Sequence, residues 1–211
     1  MAFKKQILTF ALASCVGLTL SQSVFSQTAS TDTDGDSVPD LAEVLLGTDP
    51  LVADTDGDGQ NDLADAEPVF AANLINAAGA PAPFAIKEAL VENNYDFAAK
   101  KDAPDHLELL VTNSGSAPRT NFSIYYSITD SVSGKVESTF RKLDGFSVPA
   151  NGEARLHIDD AATTGHFRFN PNSIYSSSQA AKTFAVVLKQ GDFAAVAVEI
   201  GKDKGGPEAA D

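Results

Sequence analysis

Short runs of alternating apolar and polar residues fill the chain from about residue 84 onward. The segment NFSIYYSIT (121–129) places aromatic and branched side chains on one face, because successive side chains of a strand point to opposite sides. Turns rich in Gly, Pro, Asn and Ser separate similar runs at 106–112, 135–143, 153–158, 166–169, 183–188 and 193–200. Residues 86–91 fit either a strand or a short helix.

This spacing predicts one β domain over residues 84–200. Seven or eight short strands in about 115 residues indicate an antiparallel β-sandwich of immunoglobulin-like (Ig-like) type. The segments LLVTNSGSAP and VPANGEARLHI resemble bacterial Ig-like adhesion modules, in which N-x-G ends an early strand. The polar segment 173–178 (SIYSSS) is expected to be a surface loop.

The chain before residue 68 has a different pattern, an acidic motif that occurs twice. DTDGDSVPDLAE begins at Asp32 and DTDGDGQNDLAD begins at Asp54, a shift of 22 residues (54 − 32). Carboxylates at loop positions 1, 3 and 5 repel one another unless a hard cation neutralises them. A carbonyl at position 7 and a carboxylate at position 12 would complete an oxygen shell. The duplicated loop therefore predicts calcium binding, and the fold is expected to be mainly β with a small calcium-binding loop-helix segment in front.

The stretch from Asp32 onward resembles a pair of bacterial thrombospondin type 3 repeats, in its D-x-D-G-D cores, its following acids and its GTDP link. Such repeats are calcium-dependent, have little hydrophobic core and act as stalks or spacers in exported proteins. The resemblance, over residues 32–67, implies Asp32, Asp34, Asp36, the carbonyl of Val38 and Glu43 as ligands of a first ion. It implies Asp54, Asp56, Asp58, the carbonyl of Gln60 and Asp65 as ligands of a second. Asp40, Asp62 and Asp49 would act through water or bridge to a neighbouring ion.

Two departures from the repeat pattern would lower calcium affinity. Ser37 stands where glycine is preferred for the turn, and Asp65 is one methylene shorter than a bidentate Glu. A paired EF-hand would need a full helix before each loop, and a dockerin would need longer helices than Pro68 permits. An acidic disordered linker without an ion is the remaining alternative, and the doubled register argues against it.

A short helix is expected after the first loop. Pro39 and Asp40 suit its start and Gly47 suits its end. Apolar residues at three- and four-residue steps would form one stripe on it: Val38, Leu41, Val44 and Leu45. Residues 68–83, punctuated by proline and glycine, are expected to be a linker packed on the domain that follows.

The N-terminus has the features of a secretory signal peptide over residues 1–26, followed by a leader at 27–31. Lys4 and Lys5 precede an apolar run too short and interrupted for a membrane span, so none is expected in the mature chain. Cys15 in LASC resembles a lipoprotein acylation site, but the apolar run that follows favours the secretory reading. Residues 201–211 are predicted to be a disordered tail.

The charge pattern limits the partners. The chain has 29 acidic and 15 basic residues, a net charge of −14, and residues 32–65 contain ten Asp and one Glu with no Lys or Arg. This argues against nucleic acid and anionic membranes as partners. Calcium is the one cofactor predicted, and its sites contain most of the acidic excess.

No catalytic constellation is recognised. The histidines His106, His157 and His166 lack zincin spacing, and a packed or surface role is favoured for the latter two. We therefore expect an exported, non-enzymatic protein that contacts another extracellular or periplasmic protein. The alternative is an accessory or carbohydrate-binding subunit of an extracellular enzyme complex, with Tyr125, Tyr126, Phe167 and Phe169 as its platform. A hydrolase using the acidic loops is the weakest hypothesis.

Overall fold

The structure is a computed structural model that describes residues 30–91, 94–96, 101–103, 107–159 and 161–204. The predicted signal peptide with Cys15, most of the leader, His106 and most of the predicted tail lie outside these residues. The elements are α1 (Asp40–Leu46), β1 (Phe84–Leu90), β2 (Asn94–Asp96), β3 (Lys101–Ala103), β4 (Leu107–Asn113), β5 (Phe122–Asp130), β6 (Val136–Leu143), β7 (Gly152–Asp159), β8 (His166–Arg168), α2 (Ile174–Ser177), β9 (Lys182–Gln190) and β10 (Val196–Lys202). Neither described helix has the length and apolar character needed to cross a membrane.

The strands form two four-stranded sheets and one short pair. The first sheet has the order β1-β4-β7-β8, the second has the order β10-β9-β5-β6, and β2 pairs with β3. Among these neighbours only β7 and β8 run parallel. The described chain is therefore mainly β with two antiparallel-rich sheets, as the alternating runs predicted.

One hydrophobic core draws on both sheets. Every second residue of β5, from Phe122 to Ile128, is at most 3% exposed, and Leu109 of β4 and Leu156 of β7 belong to the same buried cluster. The rings of Phe84 on β1 and Phe122 on β5 meet edge to face, with centroids 5.2 Å apart. This contact joins the two sheets directly.

Each predicted strand overlaps an observed strand whose ends lie within three residues of the predicted ones. Residues 86–91 resolve as strand, since β1 ends at Leu90. The short pair β2–β3 was not predicted. Strand β10 extends to Lys202, two residues into the predicted tail.

The expectation of a surface loop at 173–178 was wrong. Ser173 accepts a hydrogen bond from the amide of Tyr175 (3.2 Å) and so caps α2. The side chains of Ile174 and Tyr175 are buried in the core, and the Tyr175 ring meets Phe169 and Phe184 edge to face at 5.4 and 5.9 Å. The flanking serines obscured two core residues in the sequence.

Candidate metal centre

The first acidic loop folds around the carboxylate of Asp32. Its two oxygens accept hydrogen bonds from the backbone amides of Gly35 (2.9 Å) and Ser37 (3.2 Å). Both of these residues have a left-handed backbone, with φ of 79° and 80°. A side chain disfavours this conformation, so Ser37 carries local strain at the position where the repeat prefers glycine.

The second loop repeats this geometry 22 residues later. Asp54 accepts hydrogen bonds from the amides of Gly57 and Gly59, each at 2.9 Å. These glycines have φ of 79° and 102°. The duplication in the sequence is therefore also a duplication of backbone conformation.

The fourth acid of each loop holds the start of its own loop. Asp40 accepts from the amide and the hydroxyl of Thr33, both at 2.8 Å. Asp62 accepts from the amide (2.9 Å) and the hydroxyl (2.7 Å) of Thr55. Asp40 and Asp62 therefore fix the start of their own loops through threonine, and a bridge from either to an ion stays a prediction.

Three carboxylates of each loop converge. Each contributes one oxygen to a group whose members lie within 4.8 Å of one another: Asp32, Asp34 and Asp36, and then Asp54, Asp56 and Asp58. Among the described residues, four carboxylate oxygens are buried without a hydrogen-bond partner: Oδ2 of Asp34, Oδ2 of Asp36, Oδ2 of Asp56 and Oε2 of Glu43. An unpaired buried carboxylate oxygen is costly, and a divalent cation would remove that cost. This all-oxygen donor set fits a hard cation such as Ca²⁺.

The acids at position 12 lie beside these groups. Glu43 is 0% exposed; burial raises its pKa to about 7, with the charges of Asp34 and Asp36 adding to the shift. Burial likewise raises the pKa of Asp56 to about 7, and the charge of Asp65 contributes. Glu43 thus interacts electrostatically with Asp34 and Asp36, and Asp65 with Asp56; their role as ligands stays a prediction.

Val38 and Gln60 each stand two residues after the last converging acid of their loop. The amide of Val38 donates to Asp36 Oδ1 at 2.6 Å, and the amide of Gln60 donates to Asp58 Oδ1 at 2.8 Å. The side chain of Val38 is buried, whereas Asp58 and Gln60 are exposed. The second loop is thus the more open of the two at this point.

Asp49 has a partner that the sequence did not reveal. Arg168 on β8 donates to both of its oxygens, from Nε at 2.5 Å and from a terminal nitrogen at 2.7 Å, and Asp49 is 2% exposed. The amide of Asp49 donates to Thr55 Oγ1 at 2.8 Å, which ties this ion pair to the second loop. The ion pair between Asp49 and Arg168 therefore docks this part of the chain onto β8. No sequence signal pairs two residues 119 positions apart.

Residues 47–71, here called the docked segment, lie along β6. The amide of Phe140 donates to the carbonyl of Asp56 at 2.7 Å, and the amide of Ser138 donates to the carbonyl of Val69 at 3.0 Å. The amide of Ala71 donates back to the carbonyl of Ser138 at 3.2 Å. The second loop and the residues after it therefore add to the edge of the second sheet instead of projecting as a free stalk.

Asparagines after β8 hold the first part of the docked segment. The side-chain amide of Asn170 donates to the carbonyl of Gly47 at 2.6 Å, and that of Asn172 donates to the carbonyl of Thr48 at 2.7 Å. The predicted linker, residues 68–83, also contacts the sheet region that follows it. The amide of Ala194, between β9 and β10, donates to the carbonyl of Ala80 at 2.6 Å, and Val69 is bonded to β6 as described above. The linker therefore packs on the domain that follows it.

The apolar stripe predicted on α1 faces solvent. Leu41 is 81% exposed, Val44 59% and Leu45 88%, whereas Val38 is buried. The opposite face of the helix carries Glu43, which points into the acidic group. Helix orientation here follows the carboxylate rather than the leucines.

The pKa shifts predict how calcium affinity depends on pH. Protons compete with the cation for Glu43 and Asp56, whose pKa values are raised to about 7. We expect affinity at each site to fall about tenfold from pH 8 to pH 6. The stability of the metal-free protein should depend on pH in the opposite sense. Between the ordinary carboxyl pKa and about 7, Glu43 and Asp56 are protonated in the folded state and ionised in the unfolded chain, so stability falls as pH rises through this range.

Calorimetry of calcium binding at pH 6, 7 and 8 in buffers of different ionisation enthalpy measures both the affinity and the proton release. Constant affinity without proton release would contradict the assignment.

Three of the four aromatic residues proposed as a platform for a glycan are taken up by the core. Tyr126 and Phe169 are 3% and 4% exposed and lie in the core, and Phe167 packs against it. These side chains stabilise the two sheets. The structure therefore gives no specific support to the carbohydrate-binding alternative.

No protein-family model matches the chain, and comparison with curated proteins yields no match. Among solved structures, the chain is similar to β-glucuronidase 2 of Bacteroides uniformis, covalently bound to cyclophellitol-6-carboxylate aziridine. The TM-score is 0.30 with 9% identity, over 63% of this chain and 14% of that chain. It is also similar to the alkylpurine DNA glycosylase AlkC of Pseudomonas fluorescens bound to DNA containing an abasic site analog, with TM-score 0.26 and 18% identity, over 58% of this chain and 32% of that chain. The chain thus spans less than one third of either protein, and neither likeness carries a functional argument.

Proposed function

We propose that the protein is an exported, non-enzymatic calcium-binding protein whose loops are thrombospondin-type-3-like repeats. Two calcium ions would rigidify residues 32–67 and hold them against β6 of an Ig-like β-sandwich. The sandwich would then present a surface to another extracellular or periplasmic protein. Each ion would supply charge neutralisation to carboxylates that otherwise repel one another.

The observation that carries this proposal is the doubled acidic group. Two loops 22 residues apart share the same amide-to-carboxylate bonds and the same left-handed turns. Both loops contain buried carboxylate oxygens that no protein group satisfies among the described residues. A coincidental acidic surface would place these oxygens in water, where they would cost nothing.

Strand order supports the finer description of the fold as Ig-like. One sheet has the spatial order β1-β4-β7-β8, and the other has the order β10-β9-β5-β6. The strands β1-β4-β7 against β10-β9-β5-β6 correspond to the arrangement A-B-E against G-F-C-C′ of Ig-type sandwiches, and β8, which is parallel to β7, lies outside this correspondence. The chain passes between the sheets after β4 and again after β6 and β8.

A structural role for the ions follows from the ligand sets. Four carboxylates and one carbonyl are proposed for each ion, which would leave little room for a substrate in the coordination shell. We therefore propose that calcium organises the protein instead of taking part in a reaction.

Calcium titration of the mature chain by calorimetry tests the proposal. We expect saturable binding of about two ions in the wild type and its loss in the Asp34→Ala, Asp56→Ala double variant, since each substitution removes a carboxylate from one converging group. A matched control is the Asp144→Ala, Asp192→Ala double variant, which removes two exposed charges outside the loops. The control should bind as the wild type does.

Two outcomes would overturn the proposal. Absence of binding at millimolar calcium would make the loops acidic linkers. Equal weakening in the control and the loop variant would mean that net charge, rather than the loops, attracts the ion.

A further inference from the structure

A second group of metal-ligating side chains lies on the first sheet, and it contains nitrogen donors. His157 on β7 is directly opposite His166 on β8 in the parallel register. Asp159 follows His157 by two residues, so both side chains point to the same face of β7. Backbone register therefore sets the three side chains next to one another, independently of the calcium loops.

The side chains make close contacts. The two imidazole rings are stacked, with centroids 4.3 Å apart and planes 4° from parallel. Nδ1 of His166 lies 2.5 Å from Asp159 Oδ2. One ring nitrogen of each histidine and one oxygen of Asp159 fall within 4.8 Å of one another.

Burial and charge around the group suit a cation. The side chain of Asp159 is 5% exposed, that of His157 is 16% and that of His166 is 29%, so the group is sheltered but reached from solvent at the β8 edge. Glu108 of β4 continues the row, with Oε2 3.6 Å from Nδ1 of His157. Arg155 is engaged by the carboxylates of Glu108 and Glu88. Among the described residues named here, the three carboxylates of Glu88, Glu108 and Asp159 outnumber the one guanidinium of Arg155.

We propose that His157, His166 and Asp159 form a binding site for a borderline divalent transition metal of the Zn²⁺ type. Imidazole nitrogen suits such ions, whereas Ca²⁺ prefers oxygen, so the protein would have two chemically separate classes of site. Three protein ligands would leave a fourth position for water or a partner side chain.

Metal binding would require a small rearrangement. Donors at about 2.0–2.1 Å from a tetrahedral ion lie about 3.4 Å apart. The ion would therefore replace the proton between His166 and Asp159 and separate these two groups, while drawing the more distant donors together. The histidine rings would also turn out of their stacked arrangement so that their lone pairs converge.

Titration of Zn²⁺ into untagged protein saturated with calcium tests the site. We expect the wild type to bind one equivalent of Zn²⁺. The variants His157→Asn and His166→Asn, which keep a polar side chain, should bind none at the concentrations that saturate the wild type. The Asp34→Asn, Asp56→Asn variant is the matched control. It should lose calcium binding and keep the zinc equivalent, which separates failure of this proposal from failure of the calcium sites.

X-ray absorption spectroscopy of the zinc-loaded wild type provides a second measurement that does not depend on folding of the variants. Two imidazole ligands are expected. An all-oxygen shell, zinc binding that persists in both histidine variants, or no binding beyond the calcium sites would each overturn the proposal and leave the cluster as a hydrogen-bonded packing group.

Discussion

Chelation of calcium is expected to release the docked segment from β6 while both sheets remain folded. Without the cation, the buried oxygens of Asp34, Asp36, Asp56 and Glu43 have no partner. Their charges must then be hydrated or protonated, and hydration at neutral pH requires the loops to open. The two sheets share a continuous apolar core that contains none of these acids, so their stability does not depend on the ion.

Amide hydrogen exchange with and without a chelator measures this release. The amides of Ser138 and Phe140 donate to the docked segment, so their exchange should approach that of exposed amides. Thr139, between them, pairs with Tyr126 of β5 and is the internal control. Its protection should persist because alternate amides of an antiparallel strand face opposite neighbours. Unchanged protection of all three amides would contradict a metal-dependent docking, and loss at all three would mean that the sheet itself needs the ion.

The Gly57→Ala variant is expected to be destabilised much more than Gly35→Ala. Both glycines have φ of 79°, so alanine meets the same backbone strain at either position, roughly 1–2 kcal/mol. A Cβ on Gly57 would lie 1.9 Å from the carbonyl oxygen of Phe140, whereas a Cβ on Gly35 would meet nothing within 4 Å. The clash is with backbone, which cannot rotate away. The clash should lower the free energy of unfolding by a further ~1–3 kcal/mol. It should also break the hydrogen bond from the Phe140 amide to the carbonyl of Asp56.

Urea unfolding in saturating calcium, together with exchange of the Phe140 amide, measures the difference. Gly35→Ala is the matched control, because it changes the equivalent residue of the other loop. Similar midpoints and similar Phe140 protection in the two variants would show that the second loop does not rest against β6.

The strands and the convergence of acids in the two loops could be predicted because their signals are local. Alternation along β5 is a property of nine consecutive residues, and it gave the buried face from Phe122 to Ile128 correctly. The D-x-D-G-D spacing places acids at short, fixed intervals, so their convergence needs no knowledge of the remaining chain. The same short register implies Glu43 and Asp65 as further ligands, and this stays a prediction.

Contacts between distant parts of the chain could not be predicted in this way. Asp49 looked like one more acid of the repeat, and only the fold brings Arg168 to it. His157 and His166 looked unrelated because six residues (160–165) separate β7 from β8, and their adjacency depends on parallel register. The stripe on α1 failed for a different reason: periodicity locates an apolar face, but the burial of Glu43 decided which face turned inward.

The segment around α1 places carboxylates inside and leucines outside, with Glu43 at 0% exposure and Leu45 at 88%. Opening it would therefore transfer little apolar surface to water, and the associated heat-capacity change would be small. Most folded regions lose stability on both cooling and heating, because a large heat-capacity change of unfolding makes the free energy of unfolding pass through a maximum with temperature. This segment should show a nearly flat temperature response, so that the calcium activity of the surroundings, rather than their temperature, determines whether it is ordered.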